Sequence, residues 1–107
     1  MSENCVVLCT CPNDGVARDI ASALVHENLA ACVNILPEVT SVFEWKGTVE
    51  TETEVLLVIK TAADRVERLN QRIPELHPYD VPEVVALPIT AGLPAYLQWV
   101  SEETRQQ

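Results

Sequence analysis

His77 is the residue whose surroundings in the sequence most favour a chemical role. Pro78 follows it directly, and a residue before proline is held in extended backbone geometry, so the imidazole should stand where a helix gives way to a strand. The other histidine, His26, falls late in the first predicted helix, where a protonated ring suits the helix dipole at the surface. The sequence leaves two roles open for His77: a metal ligand, or a hydrogen-bonding group at the helix end.

The cysteines are the second set of residues that could bind a metal. Cys9 and Cys11 are two positions apart, so their side chains share one face of a strand. In a regular strand they lie roughly 6.6 Å apart, whereas the sulfurs of one tetrahedral site must be closer, because each bond is about 2.3 Å long. The pair could therefore bind a soft ion such as Cu(I) only if the strand curls at Cys11. The alternative is a set of small buried apolar side chains. We favour that alternative for Cys5, Cys32 and Cys11 and leave Cys9 open.

Carboxylates at alternate positions form a third candidate. Glu50, Glu52 and Glu54 alternate with threonines and should line one face of a two-stranded ribbon. Like charges at this spacing repel, which suits a solvated strand edge that discourages pairing with other chains. We prefer this interpretation to a carboxylate site for a cation.

The elements that must position these residues follow from apolar spacing and turn signals. Asn13 or Asp14 is predicted to cap the first helix, Thr61 with Asp64 to start the second, and Pro74 to end or kink it. The predicted elements are a strand at 5–10, a helix from about 16 to 28, strands at 31–45 and 49–61, a helix after 61 with buried Val66, Leu69 and Ile73, a strand at 83–87 and a helix at 93–103.

This order predicts an α+β fold. A β-α-β-β-α-β succession is the ferredoxin-like plan, here with a long β-hairpin around Lys46-Gly47 and an added C-terminal helix. The length of 107 residues is that of a single domain, so we predict one domain over 1–107.

The hairpin is too long for such a domain. A strand of about 14 residues spans roughly 46 Å, whereas the radius of gyration of a domain this size is about 13 Å. The arm carries Val39, Val42, Phe43 and Trp45, which a lone chain would leave in water. We therefore predict that it packs on neighbouring subunits, each buried aromatic contributing about 1.5–3 kcal/mol. The alternative is that Pro37 breaks the arm into two strands that fold back on their own sheet.

Composition limits the partners. Seven basic and sixteen acidic residues give a formal charge of −9, which opposes binding to nucleic acid and to anionic membranes. The segment from Met1 to Asn4 has no basic start, and the apolar run after it is too short for a signal peptide or a membrane span. We expect a cytoplasmic protein whose cysteines are reduced.

Several of these segments together resemble the CutA family of divalent-cation tolerance proteins. The resemblance runs through nearly the whole chain and includes Val7-Leu8-Cys9-Thr10, Leu29-Ala30-Ala31-Cys32-Val33-Asn34, Trp45-Lys46-Gly47, His77-Pro78-Tyr79 and Pro82-Glu83. It implies a ferredoxin-like homotrimer whose hairpins clasp adjacent subunits, and a role in tolerance of copper and other divalent metals.

The resemblance also implies ligands. In family members with a copper site, a first-strand cysteine and two adjacent histidines before Pro-Tyr bind the metal, which maps onto Cys9 and His77. Leu76 stands at the position of the first histidine, so one imidazole and one thiolate take the place of three ligands.

Three functions remain in competition. The first is a trimeric copper-binding or divalent-metal-binding protein; the second is a trimeric sensor or scaffold akin to PII-like proteins, with a small ligand between subunits. Trp45, Lys60, Tyr79 and Glu83 stand at the ends of elements and could line such a cleft. The third is an enzyme with Cys9 as nucleophile and His77 as base. We expect no enzyme, because the sequence has no phosphate-binding glycine loop and no third group that orients the histidine.

Overall fold

The structure is a computed structural model that describes residues 3–105, so Met1, Ser2, Gln106 and Gln107 of the predicted domain lie outside the described residues. Its elements are β1 (Asn4–Cys11), α1 (Asp14–His26), β2 (Cys32–Trp45), β3 (Thr48–Ala62), a 3₁₀ turn (Ala63–Arg65), α2 (Val66–Leu76), β4 (Val85–Pro88) and α3 (Pro94–Glu103).

The predicted fold class is confirmed. The four strands form one antiparallel sheet in the order β2-β3-β1-β4, which is the ferredoxin-like arrangement. Alternation along β1 and β3 sends one set of side chains into the core against α1 and α2. That core is formed by Val7, Cys9, Cys11, Ala17, Ile20, Leu24, Leu29, Ala30, Val55, Leu57, Ile59, Leu69 and Ile73.

The hairpin arm is one continuous ribbon. β2 and β3 stay paired from Cys32 with Lys60 to Trp45 with Thr48, and the molecule measures 44 Å along its long axis against 25 and 22 Å across. Lys46 and Gly47 both have positive φ, 52° and 82°, which is the backbone that a tight hairpin turn between twisted strands requires.

Pro37 does not break this ribbon. The register shifts between Leu36 and Val39, where two residues of β2 oppose one of β3, and Glu38 takes a φ of 59°. The strand therefore absorbs the proline as a β-bulge, which removes one ladder position without ending the pairing. The alternative of two strands folded back on their own sheet is wrong.

The predicted start of the second helix is wrong, and this helix continues past its proline. Thr61 does not start α2; it lies within β3, where it pairs with Cys5 and its buried hydroxyl donates to the carbonyl of Leu29 at 2.7 Å. Pro74 does not end α2 either, because the helix continues to Leu76 and the N–H of His77 still donates to Ile73 at 2.9 Å. Pro74 has no N–H to donate to the carbonyl four residues earlier, which is that of Asn70. Asn70 is exposed, so water can bind this carbonyl instead.

The remaining boundaries move by a few residues. Asn13 caps α1 by accepting the N–H of Val16 at 2.9 Å, and the helix ends at His26 rather than at Asn28, which has a φ of 60°. β4 begins at Val85, two residues later than predicted. Between residues 3 and 105 we find no helix long and apolar enough to cross a membrane.

Candidate metal centre

His77 lies immediately after α2, with φ −95° and ψ 138°, the extended geometry that Pro78 imposes. One ring nitrogen, Nε2, lies 2.8 Å from the carbonyl oxygen of Thr10, and the other, Nδ1, accepts the N–H of Tyr79 at 3.1 Å. A carbonyl can only accept and an N–H can only donate, so these partners select the neutral ring with its proton on Nε2. The buried imidazole thus connects the end of α2 to the end of β1.

Cys9 and Cys11 meet His77 at this point. Both cysteines are fully buried, and their sulfurs and a ring nitrogen of His77 all lie within 4.8 Å of one another. The expected separation of roughly 6.6 Å describes the backbone spacing of the two residues, and the side chains converge from it. Cys11 is buried, as expected for an apolar side chain, but its sulfur also lies beside the other two potential donors of the cluster.

Each of the two thiols influences the ionisation of the other. The pKa of Cys9 is raised because its thiol donates to Cys11, then because it is buried and because negative charge on Cys11, Glu83 and Glu54 opposes ionisation. The pKa of Cys11 is lowered by the same hydrogen bond, against the effect of its burial. One thiolate, at Cys11, is thus the first to form, and a bound cation would remove the repulsion that opposes the second.

Tyr79 covers the imidazole. The two ring centroids are 4.7 Å apart, and the Tyr79 hydroxyl donates to Oε2 of Glu54 at 2.9 Å. Burial, followed by this hydrogen bond and the charge of Glu54, raises the pKa of Tyr79 to about 12. Glu54 lies one position beyond Val55, the last residue of β3 paired with β1. The hydrogen bond between Tyr79 and Glu54, here named the latch, therefore lies where the hairpin arm leaves the sheet.

We expect Tyr79→Phe to destabilise the protein. The phenylalanine keeps the ring over His77 but leaves the buried carboxylate of Glu54 without this donor, so the free energy of unfolding should fall by about 1–3 kcal/mol. Urea denaturation at one fixed protein concentration measures the change. Glu52→Gln, an exposed carboxylate on the same strand, is the control and should change stability by less than about 0.5 kcal/mol. Equal stabilities for Tyr79→Phe and the parent would show that the latch contributes nothing.

The other predicted site residues do not join this cluster within one chain. Trp45, at the tip of the arm, pairs with Thr48, which is twelve positions and roughly 40 Å of strand from Lys60. Lys60 lies instead beside Cys32 and Asn34 on the sheet face opposite α1 and α2. A cleft that includes both Trp45 and Lys60 would have to form between chains.

Glu83 and the remaining candidates have simpler positions. Glu83 is exposed in the segment before β4, close enough to Cys9 for its charge to raise that pKa. Cys5 is buried and His26 is exposed, as predicted, but Cys32 is only half-buried.

Sequence reasoning missed two residues of the site. The two-residue spacing was the available signal for Cys11, but the sequence does not show how the side chains turn. Glu54 was predicted to lie with Glu50 and Glu52 on a solvated edge. Its side chain is instead only 8% exposed and accepts a hydrogen bond from the Tyr79 hydroxyl. No local pattern separates it from its two neighbours, because the difference comes from a residue 25 positions away.

Fold and site together define a class of small protein: a ferredoxin-like α+β domain with a projecting β-ribbon and a buried cysteine–histidine cluster at the root of that ribbon. The sequence profile of the CutA1 divalent ion tolerance protein family matches residues 5–103, and the chain belongs to this family.

Individual relatives agree with this assignment. The chain is 52% identical over 99 residues to the divalent-cation tolerance protein CutA of Thermus thermophilus, covering 92% of this chain and 96% of that one. It is 55% identical over 93 residues to a CutA homolog of Xenopus laevis, covering 87% of this chain and 62% of the relative, and 50% identical over 95 residues to the CutA protein of Homo sapiens, covering 89% and 53%. The chain thus spans little more than half the length of these vertebrate relatives.

Solved structures match equally well. The CutA1 structure from Thermus thermophilus has a TM-score of 0.93 at 51% identity, covering 95% of this chain and 99% of that one. The CutA structure from Xylella fastidiosa has a TM-score of 0.95 at 41% identity, covering 97% and 100%.

Proposed function

We propose that this chain is a homotrimeric copper-binding protein that contributes to tolerance of divalent metal ions. The observation that carries the proposal is the convergence of Cys9, Cys11 and His77, three buried donors within 4.8 Å of one another. Membership of a divalent ion tolerance family supports a role with metal ions. Leu76 cannot bind a metal at the position where relatives with a copper site have a histidine. The thiol of Cys11 supplies a third donor in its place.

The donor set suits copper. Two thiolates and an imidazole favour soft or borderline ions such as copper and zinc over magnesium and calcium, which prefer oxygen. One nitrogen of His77 must exchange its present partner for the metal, while the other keeps its hydrogen bond to Thr10 or Tyr79 and so holds the ring in position. The fully buried sulfurs require a local opening for entry, and Tyr79 is the side chain that covers the imidazole.

The same cluster argues against the enzyme hypothesis. A nucleophilic cysteine must form its thiolate easily and be reached by a substrate. Cys9 has a raised pKa and is fully buried, and His77 uses both nitrogens in hydrogen bonds to the backbone. The arrangement suits holding an ion better than attacking a carbon or phosphorus centre.

Two features support assembly with sister chains. The arm exposes Val42 by 66%, Trp45 by 61% and Val49 by 69%. The sheet face opposite α1 and α2 is also apolar along all four strands, with Val6, Leu8, Leu36, Leu56, Val58, Val85 and Leu87. Monomeric proteins rarely expose contiguous apolar surfaces of this kind, and closed symmetry covers them on every copy at once. A trimer would also bring the arm of one chain to the sheet of another.

Anaerobic titration with Cu(I) against a competing chelator tests the proposal. We expect one ion per chain, with affinity falling as the pH falls, because protons must leave the thiols on binding. Mg²⁺ and Ca²⁺ should not displace it. Absence of stoichiometric Cu(I) binding would contradict the metal function and would favour the second candidate, a sensor or scaffold with a small ligand between subunits.

A further inference from the structure

Residues 78–83, which follow His77 on the way from α2 to β4, are the most weakly held segment beside the cysteine–histidine cluster. They belong to no helix or strand, and most of them are exposed. In the part of the chain that the structure describes, their only hydrogen bonds are the two made by Tyr79. One joins the Tyr79 N–H to Nδ1 of His77, and the other is the latch to Glu54. A segment with so few contacts opens at a lower free energy than the elements around it.

The other neighbours of the cluster are held more firmly. Cys9 and Cys11 face the core beneath α1 and α2, and that core opens only if the sheet separates from the helices. The turn before α1 adjoins the end of β1, but Asn13 accepts two hydrogen bonds from that helix, at 2.9 and 3.1 Å. Movement of residues 78–83 is therefore the least costly way to uncover the cluster.

Within this segment, Tyr79 is the side chain that closes the cluster. Its ring lies over the buried imidazole of His77, beside the two fully buried sulfurs. Tyr79 itself is 39% exposed, so its ring has solvent into which it can turn. His77 lies with the two cysteines in the layer of α1 and α2, on the other side of the sheet from the apolar face that we assign to sister chains.

We propose that residues 78–83 form a lid, and that opening of the Tyr79–Glu54 latch sets the rate at which a metal ion reaches and leaves the cluster. This inference rests on the proposed metal function, although movement of the lid is a property of the metal-free protein. The closed lid excludes water and competing chelators, and the open lid admits the ion. Tyr79 is a positioning residue, since the latch closes over the empty and the loaded cluster alike and so changes rates rather than affinity.

Alkylation of the metal-free protein by iodoacetamide measures the opening. Peptide mass spectrometry distinguishes Cys11 from the other cysteines. Tyr79→Phe keeps the ring but loses the latch, so the labelling rate of Cys11 should rise roughly tenfold or more, the factor expected for one hydrogen bond to a carboxylate. Tyr96→Phe is the matched control, because Tyr96 has the same exposure and lies on α3, outside the lid. It should leave the rate within about twofold of the parent.

Low concentrations of urea separate opening of the lid from unfolding of the whole chain. Opening of the lid exposes little surface, so the labelling rate of Cys11 should stay nearly constant below the unfolding transition. A rate that rises with urea as steeply as the unfolding equilibrium would overturn the proposal. Equal Cys11 rates in the parent and in Tyr79→Phe would also overturn it.

Exchange of copper separates failure of the lid from failure of the metal function. Release of Cu(I) to an excess of chelator should accelerate in Tyr79→Phe by the same factor as labelling, with the equilibrium affinity within about threefold of the parent. Unchanged release despite faster labelling would show that the lid does not limit exchange, and would overturn the proposal. Absence of Cu(I) binding would overturn the metal function and this role of the lid together, whereas the labelling result would stand.

Discussion

Leu87→Asp is expected to convert the proposed trimer into monomers. Leu87 pairs across the sheet with Val6 and is 47% exposed in the single chain, so the aspartate can be solvated there and the monomer keeps its fold. In the assembled protein each copy would bury one unpaired carboxylate against an apolar face, at a desolvation cost of several kcal/mol per copy. Sedimentation velocity at micromolar concentration distinguishes the two states.

The control for this variant is Val25→Asp. Val25 is 42% exposed, close to the value for Leu87, but it lies on α1 in the opposite layer. That variant should sediment as the parent does. Trp45→Ala should weaken assembly without unfolding the chain, because the indole is 61% exposed at the arm tip and stabilises the fold only through a partner. A parent protein that sediments as a monomer would contradict the proposed clasp.

Removal of any one of the three proposed ligands is expected to weaken copper binding strongly. Structural metal sites with four ligands bind with about 10–16 kcal/mol, or about 3 kcal/mol per ligand. Cys9→Ala, Cys11→Ala or His77→Ala should each lower Cu(I) affinity by at least about a hundredfold in the same chelator competition. Alanine is a better replacement than serine because all three positions are buried, where the hydroxyl of a serine would need a hydrogen-bond partner.

Cys5→Ala is the matched control for the metal variants. Cys5 is a buried cysteine on the same strand and the same face, but it lies at the opposite end, across from Thr61. Its loss should reduce stability as the other alanine variants do, yet leave the affinity unchanged. An equal fall in affinity for Cys5→Ala would mean that the effect comes from damage to the core rather than from lost ligands.

The fold was largely predictable because its signals are local. Alternation in β1, the Lys46-Gly47 turn and the helical spacing of Leu69 and Ile73 each depend on neighbours in the sequence. Predictions failed where a distant residue decided the outcome. Thr61 has a side chain that could cap a helix, but its hydroxyl donates instead to the backbone carbonyl of Leu29.

The site was predictable only in part, for the same reason. Pro78 marks the position of His77, and the resemblance to relatives marks Cys9. The participation of Cys11 depends on side-chain rotation, and the role of Glu54 depends on Tyr79 reaching it after α2 has been placed. Contacts between residues far apart in the chain leave no periodic signal in the sequence.

The latch and the β-bulge stand at the same level of the arm. Val39, the first paired residue after the bulge, faces Glu54, and Glu54 accepts the Tyr79 hydroxyl. The same contacts therefore connect the cysteine–histidine cluster to the base of the hairpin arm. Metal loading and assembly should be linked: copper should shift the monomer–trimer balance in the parent but not in Cys11→Ala.

Anomalous diffraction from copper-loaded crystals would show whether copper lies between Cys9, Cys11 and His77. Data collected on either side of the copper absorption edge locate the ion without reference to any assumed ligand. We expect one anomalous peak per chain, within bonding distance of the Cys9 and Cys11 sulfurs and a nitrogen of His77, at about 2.0–2.3 Å. A peak held only by surface carboxylates such as Glu50 and Glu52, with both sulfurs still free, would contradict it.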